Sequence, residues 1–195
     1  PGTYYENITV KKTVSIMGEN RTTTIIDGGK NETAIYVKAN NVLISGFTVQ
    51  NGTNGIWLYY SQNCTISGNN VNDNAYGIKL YHANNSTIKE NKVNNNSWFG
   101  ITIYYSGECT LRNNTFADNK YNFGVDGASL YDFANDIDTS NTVNSKPIHY
   151  LLNQNNLTID SSTFPDIGYL ALVNSTNITV KDLTLTHNEQ GILFA

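Results

Sequence analysis

This chain is short of charge, cysteine, basic residues and long apolar runs, and each shortage excludes something. Asp, Glu, Lys and Arg make up only 14% of its 195 residues, against roughly 25% in an average globular protein. The low charge does not mean disorder, because 39% of the residues are hydrophobic. Two cysteines, Cys64 and Cys109, cannot build a disulfide framework. Twelve Lys and Arg against 16 Asp and Glu give a net charge of -4. No basic stripe of the kind that binds nucleic acid is visible. No apolar run approaches the ~18 residues of a membrane-spanning helix. Proline, methionine and tryptophan are scarce.

Asparagine is abundant instead, at 31 residues. It forms helices poorly, while the plentiful Thr, Tyr, Ile and Val favour strands. Together these exclude a helical bundle or a coiled coil.

The chain repeats itself. GIWLYYSQNCTISGNNVNDNAY begins at Gly55, GIKLYHANNSTIKENKVNNNSWF at Gly77 and GITIYYSGECTLRNNTFADNKYNF at Gly100. AIYVKANNVLISGFTVQNGTN from Ala34 and YLALVNSTNITVKDLTLTHNEQ from Tyr169 fit the pattern, and GILF from Gly191 opens another copy. Less regular copies begin near Gly124 and Pro147. The starts fall at 34, 55, 77, 100, 124, 147, 169 and 191, in steps of 21 to 24 residues. Apolar residues alternate over three short runs per copy, which marks three strands. Asn-rich corners separate them, since Asn tolerates the left-handed conformation of a sharp turn.

Strands this short bury nothing alone, so the copies must stack. The expectation is an all-β, single-stranded parallel β-helix with three faces and about eight coils. At ~4.8 Å per coil the rod is roughly 40 Å long. It forms one domain over 1–195, with entry coils at 1–33, regular coils at 34–123, irregular coils with a loop at 124–168 and regular coils to an open end at 169–195. Cys64, Ser86 and Cys109 share a register, which predicts two free, buried thiols. Asn69, Asn91 and Asn114 share another, as do Asn74, Asn96 and Asn119, which predicts stacked asparagine ladders.

The repeat GIxLxxxxxxTIxxNxVxxN resembles the right-handed β-helix repeats of the NosD-like group and of carbohydrate-binding and sugar hydrolysis domains. The opening PGTYYENITVKKTVSIMGENRTTTIIDGG is similar to the entry coil of that group. Asn135 to Leu151, NDIDTSNTVNSKPIHYL, resembles a segment of archaeal surface proteins. The resemblance implies right-handed winding, an extracellular or cell-surface setting, and either a structural or carbohydrate-binding module or a polysaccharide-active lyase or hydrolase. A NosD-like role in metal maturation is a further implied alternative. The N-terminal cap usual in the group does not precede this opening. Either the native chain is longer, or the uncapped ends meet each other or neighbouring chains.

The residues weigh against catalysis. The aspartate, histidine and arginine motifs of polygalacturonases, mannuronan epimerases, pectate lyases and pectin methylesterases are absent. The outward column of the first strand reads Tyr36, Trp57, Lys79, Thr102, Asp126, His149, Ala171 and Leu193. Asp126 and His149, on adjacent coils, are the catalytic candidates. Tyr36, Trp57, Tyr59, Tyr81, Tyr104 and Tyr105 are the carbohydrate-binding candidates, because a flat apolar ring with a polar tip suits a sugar. Tyr60 and His82 share a register with Tyr105. No cofactor is expected, although Asp132, Asp136 and Asp138 form an oxygen-rich run suited to calcium. His82, His149 and His187 lack ligand spacing for copper. The Thr column Thr65, Thr87, Thr110, Thr158 and Thr179 lies beside charged residues, which spoils an ice-binding array. Sequons abound, with Asn7, Asn51, Asn95 and Asn156 as glycosylation candidates.

Overall fold

The computed structural model describes all 195 residues. It is a parallel β-solenoid of about nine turns. Face A is a ten-stranded sheet, running from Gly2–Tyr5 to Leu193–Phe194. Face B has six strands, from Ile8–Val10 through Asn54–Tyr59, Tyr76–Tyr81 and Phe99–Tyr104 to Tyr121–Asp126. Face C has six, from Ser15–Met17 to Asp136–Ile137.

The period of two decides what is inside. In Thr65–Ser67 only the central Ile66 is buried, and it stacks on Ile44 and Ile88. Ile56, Ile78 and Ile101 form another inward column, and Val49, Val71, Val93 and Phe116 a third. One continuous core of 34 residues results. Cys64 and Cys109 lie in it as free thiols, and burial pushes the Cys109 thiol up to about 11.

The corners repeat as faithfully as the strands. Asn41, Asn63, Asn85 and Glu108 all have left-handed φ between 55° and 57°, at equivalent points before face C. Both ladders form, and each is one residue longer than expected. The Asn69 amide nitrogen donates to Asn91 Oδ1 at 3.1 Å, Asn91 to Asn114 at 3.1 Å, and Asn114 to Asn141 at 2.8 Å. The second ladder runs Asn74, Asn96, Asn119, Asn122. These side chains satisfy backbone groups that the turns leave unpaired.

The fifth and sixth repeat starts need correcting. Gly124 pairs with Thr102, and Asp126 with Tyr104. Copy five therefore opens at Asn122, whose amide ends the second ladder where a glycine stands in earlier coils. After Asp126 the chain leaves face B through a loop with one helical turn, Leu130–Phe133. It re-enters face A at Thr142–Val143 and then reverses through Asn144 and Ser145, both at positive φ. That is the two-residue hairpin geometry whose twist matches the strands. Lys146–Leu152, Tyr169–Val173 and Leu193–Phe194 then stack in parallel on face A, so the copies from Pro147 onward do not extend face B. Tyr169–Val173 is buried on both sides. One side meets the main core, the other a second cluster around Ile159, Ile167, Leu170 and Leu172. The Thr column divides too: Thr65, Thr87 and Thr110 align on face C, while Thr158 pairs with Thr179 in a separate two-stranded sheet.

Candidate functional site

The outer side of face B carries the densest set of functional side chains. Its strands stack in register, so outward residues from successive coils form columns. One column holds Tyr36, Trp57, Lys79, Thr102 and Gly124. Another holds Tyr59, Tyr81, Tyr104 and Asp126. Ring centroids lie 4.8 Å apart for Tyr36–Trp57 and 5.6 Å for Tyr59–Tyr81, both stacked. At the next corner Tyr60, His82 and Tyr105 stack at 4.6 and 5.2 Å. All three have left-handed φ, 48° to 50°. Bulky residues rarely accept that conformation, at a cost of order 1 kcal/mol each. Ring stacking helps to hold them there.

Tyr104 departs from the expected strip. Its hydroxyl donates to Glu189 Oε1 at 3.1 Å, and burial, reinforced by Glu189, raises its pKa. Tyr81 meets Tyr105 instead, edge to face at 5.7 Å.

A second cluster, absent from the sequence-based candidates, lies on the same face. Tyr76, Phe99 and Tyr121 pair across three coils with centroids 5.5 and 5.2 Å apart, and Trp98 flanks them. Their signal was the aromatic residue just before Gly77, Gly100 and Asn122. Lys79 bridges the clusters, its ammonium 5.1 Å from the Trp57 ring and 4.9 Å from Tyr76. None of these aromatics lines any of the larger clefts in the surface. The face is an open platform.

The stacked-coil geometry agrees with the sequence comparison. A family model described as a right-handed β-helix region matches residues 6–136 and again 100–195. The chain belongs to the right-handed β-helix family. No curated protein and no solved structure matches it. Membership supplies the fold of this β-helix and leaves its chemistry to the residues.

The β-helix keeps Asp126 and His149 apart. Asp126 ends face B, whereas His149 stands on face A beside Leu170, edge-on to Phe164 at 5.2 Å. Burial lowers the His149 pKa, and no ion pair joins the two. The aspartates of the loop are already engaged. Asp132 Oδ2 accepts from the amides of Ala128 and Ser129 at 3.0 and 2.9 Å. Asp136 and Asp138 both pair with Arg112. No three His, Cys, Asp or Glu side chains gather as a metal cage. Among the sequon residues, Asn7, Asn95 and Asn156 are exposed. Asn51 donates to Asp27 Oδ2 at 2.7 Å.

A C-terminal strap closes the last coil of face B. Asn122 N donates to His187 O, Glu189 N to Phe123 O, and Gln190 Nε2 to Val125 O. A side chain at 124 would collide with the Glu189 carboxyl, so glycine stands there. Burial raises the Glu189 pKa above its ordinary 4.5; the hydrogen bond from Tyr104 opposes this and Asp126 adds to it. The stability this acid contributes is therefore whole below pH 4.5 and is lost as pH rises through the folded-state value. Glu189→Gln removes the titration while keeping an acceptor for Tyr104. Urea midpoints across that range are expected to show the variant gaining on the parent as pH rises, by on the order of 1 kcal/mol at most. A pH-independent difference would refute the assignment.

Proposed function

We propose that this β-helix is a non-catalytic, extracellular module that binds carbohydrate through the outer side of face B. The observation that carries the reading is the unbroken ring platform from Tyr36 and Trp57 through Tyr81 to Tyr105. Its rings are partly exposed, Tyr60 the most at 57%. Flat rings with polar edges suit the apolar faces of sugars. A platform without a pocket suits a polymer better than a small molecule, which needs a concave site. Sequon density and the scarcity of charge fit a cell-surface setting.

The test is a polysaccharide panel scored for binding by calorimetry and for released chain ends. Trp57→Ala and Tyr60→Ala are each expected to weaken binding at least about tenfold, or ~1.4 kcal/mol. Unchanged affinity in both would refute the platform.

One observation favours a second reading, an enzyme working on the same bound chain. Asp126 stands beside Tyr104 in register and Glu189 Oε1 accepts from the Tyr104 hydroxyl, so this one tyrosine has two carboxyl residues as neighbours. Glycoside hydrolysis uses two carboxyls, one with a raised pKa. Chain ends released by the parent and not by Asp126→Ala would establish it.

A further inference from the structure

We infer that the polymer taken by face B is acidic, bearing carboxylate or sulfate groups, and that Lys79 receives one of them. This rests on the carbohydrate-binding reading and adds the charge of the ligand.

Three lysines stand on this face. Lys38 lies 5.2 Å from the Tyr36 ring, Lys79 5.1 Å from Trp57, and Lys120 3.7 Å from Trp98. None has a carboxylate partner. The ion pairs of the molecule lie elsewhere: the N-terminus with Glu19, Arg112 with Asp136 and Asp138, and Lys181 with Asp160. In a chain of net charge -4, three unpaired cations on one aromatic face mark where negative charge is missing. Lys38 and Lys79 are two coils apart, as are Lys79 and Lys120, about 10 Å along the axis in each case. A polymer lying obliquely across the face meets a cation on every second coil.

The column around Lys79 sharpens the assignment. Trp57 precedes it by one coil and Thr102 follows it by one. Trp57 Nε1 and Thr102 Oγ1 are both buried without a hydrogen-bond partner, and the Thr102 side chain belongs to a fully buried residue. An indole N–H and an ammonium can only donate. Trp57 Nε1 and Lys79 thus offer hydrogens without an acceptor, the Thr102 hydroxyl beside them is unpartnered, and the unpartnered Glu189 Oε2 stands beyond it over Gly124. A carboxylate or sulfate ester supplies several acceptor oxygens at once. Lys79 stands between the two in the same column, with its ammonium 5.1 Å from the Trp57 ring. Burial already lowers the Lys79 pKa, a cost that a bound anion offsets. The column ends at Gly124 under the Glu189 carboxyl. That acid bars a second anion beyond Thr102 and fixes the first at Lys79.

The experiment uses the whole 195-residue chain and four polymers: polygalacturonate, its carboxyl-reduced neutral form, dextran sulfate and dextran. Calorimetry at about 0.15 M salt limits long-range attraction. At least one acidic polymer is expected to bind tenfold or more tighter than its neutral counterpart, and the two acidic arms separate carboxylate from sulfate. Lys79→Met should remove that preference, Lys38→Met should reduce it, and Lys89→Met, an exposed charge on face C, should leave it intact. Equal binding of acidic and neutral forms would overturn this inference and leave the carbohydrate reading standing. Equal losses from Lys79→Met and Lys89→Met would also overturn it, by showing general charge attraction. Failure of all four polymers to bind would overturn both.

Discussion

Asn91→Ala is expected to cost about 4 kcal/mol of folding stability, from four lost buried hydrogen bonds at ~1 kcal/mol each. The side chain makes four bonds. Its Oδ1 accepts from the Asn69 backbone N at 3.0 Å and from Asn69 Nδ2 at 3.1 Å. Its Nδ2 donates to Ile66 O at 2.9 Å and to Asn114 Oδ1 at 3.1 Å. Asn69, Asn91 and Asn114 are fully buried, so solvent does not replace the lost bonds. The cost is a large share of the 5–15 kcal/mol typical of a domain. Urea unfolding measures it directly. A loss no larger than that of Lys89→Ala, expected within about 0.5 kcal/mol, would show that the ladder contributes little.

A second large effect is expected at Gly77. A Cβ there would stand 2.6 Å from Gly100 O and 2.6 Å from Val93 Cγ1. The carbonyl belongs to the neighbouring coil and cannot rotate aside. Gly77→Val should cost more than about 4 kcal/mol and leave little folded protein. Gly191 opens the same Gly-Ile pair, yet a Cβ there meets nothing within 4 Å. Gly191→Ala should stay within about 0.5 kcal/mol of the parent. Thermal melts of the two variants decide the matter, and similar melts would contradict the packing described.

That contrast shows what the sequence discloses and what it hides. Stacking repeats each coil about 22 residues on, so columns such as Tyr59–Tyr81 and ladders such as Asn69–Asn91 were legible from spacing alone. The Gly-Ile marker failed where the glycine served another purpose. Gly124 makes room for Glu189, and Asn122 fills the place that Gly100 holds one coil earlier. The reversal at Asn144 and Ser145 was hidden because the hydrophobic pattern of Pro147 onward reads the same in either direction. Glu189 meets Tyr104 across 85 residues, and no local pattern encodes such a meeting. The aromatic column of Tyr76, Phe99 and Tyr121 was readable, since it follows the same spacing as the strip beside it.

The strap of His187 to Gln190 also makes the rod mechanically lopsided. From the N-terminal side each coil is held mainly by the next, so tension there peels turns off in sequence. Each released turn of about 22 residues adds roughly 75 Å of chain. Tension from the C-terminal side must, once Leu193–Phe194 is free, tear the strap from the strand Tyr121–Asp126, which it clamps by hydrogen bonds from Asn122, Glu189 and Gln190. One end of this molecule unspools, and the other is tied off.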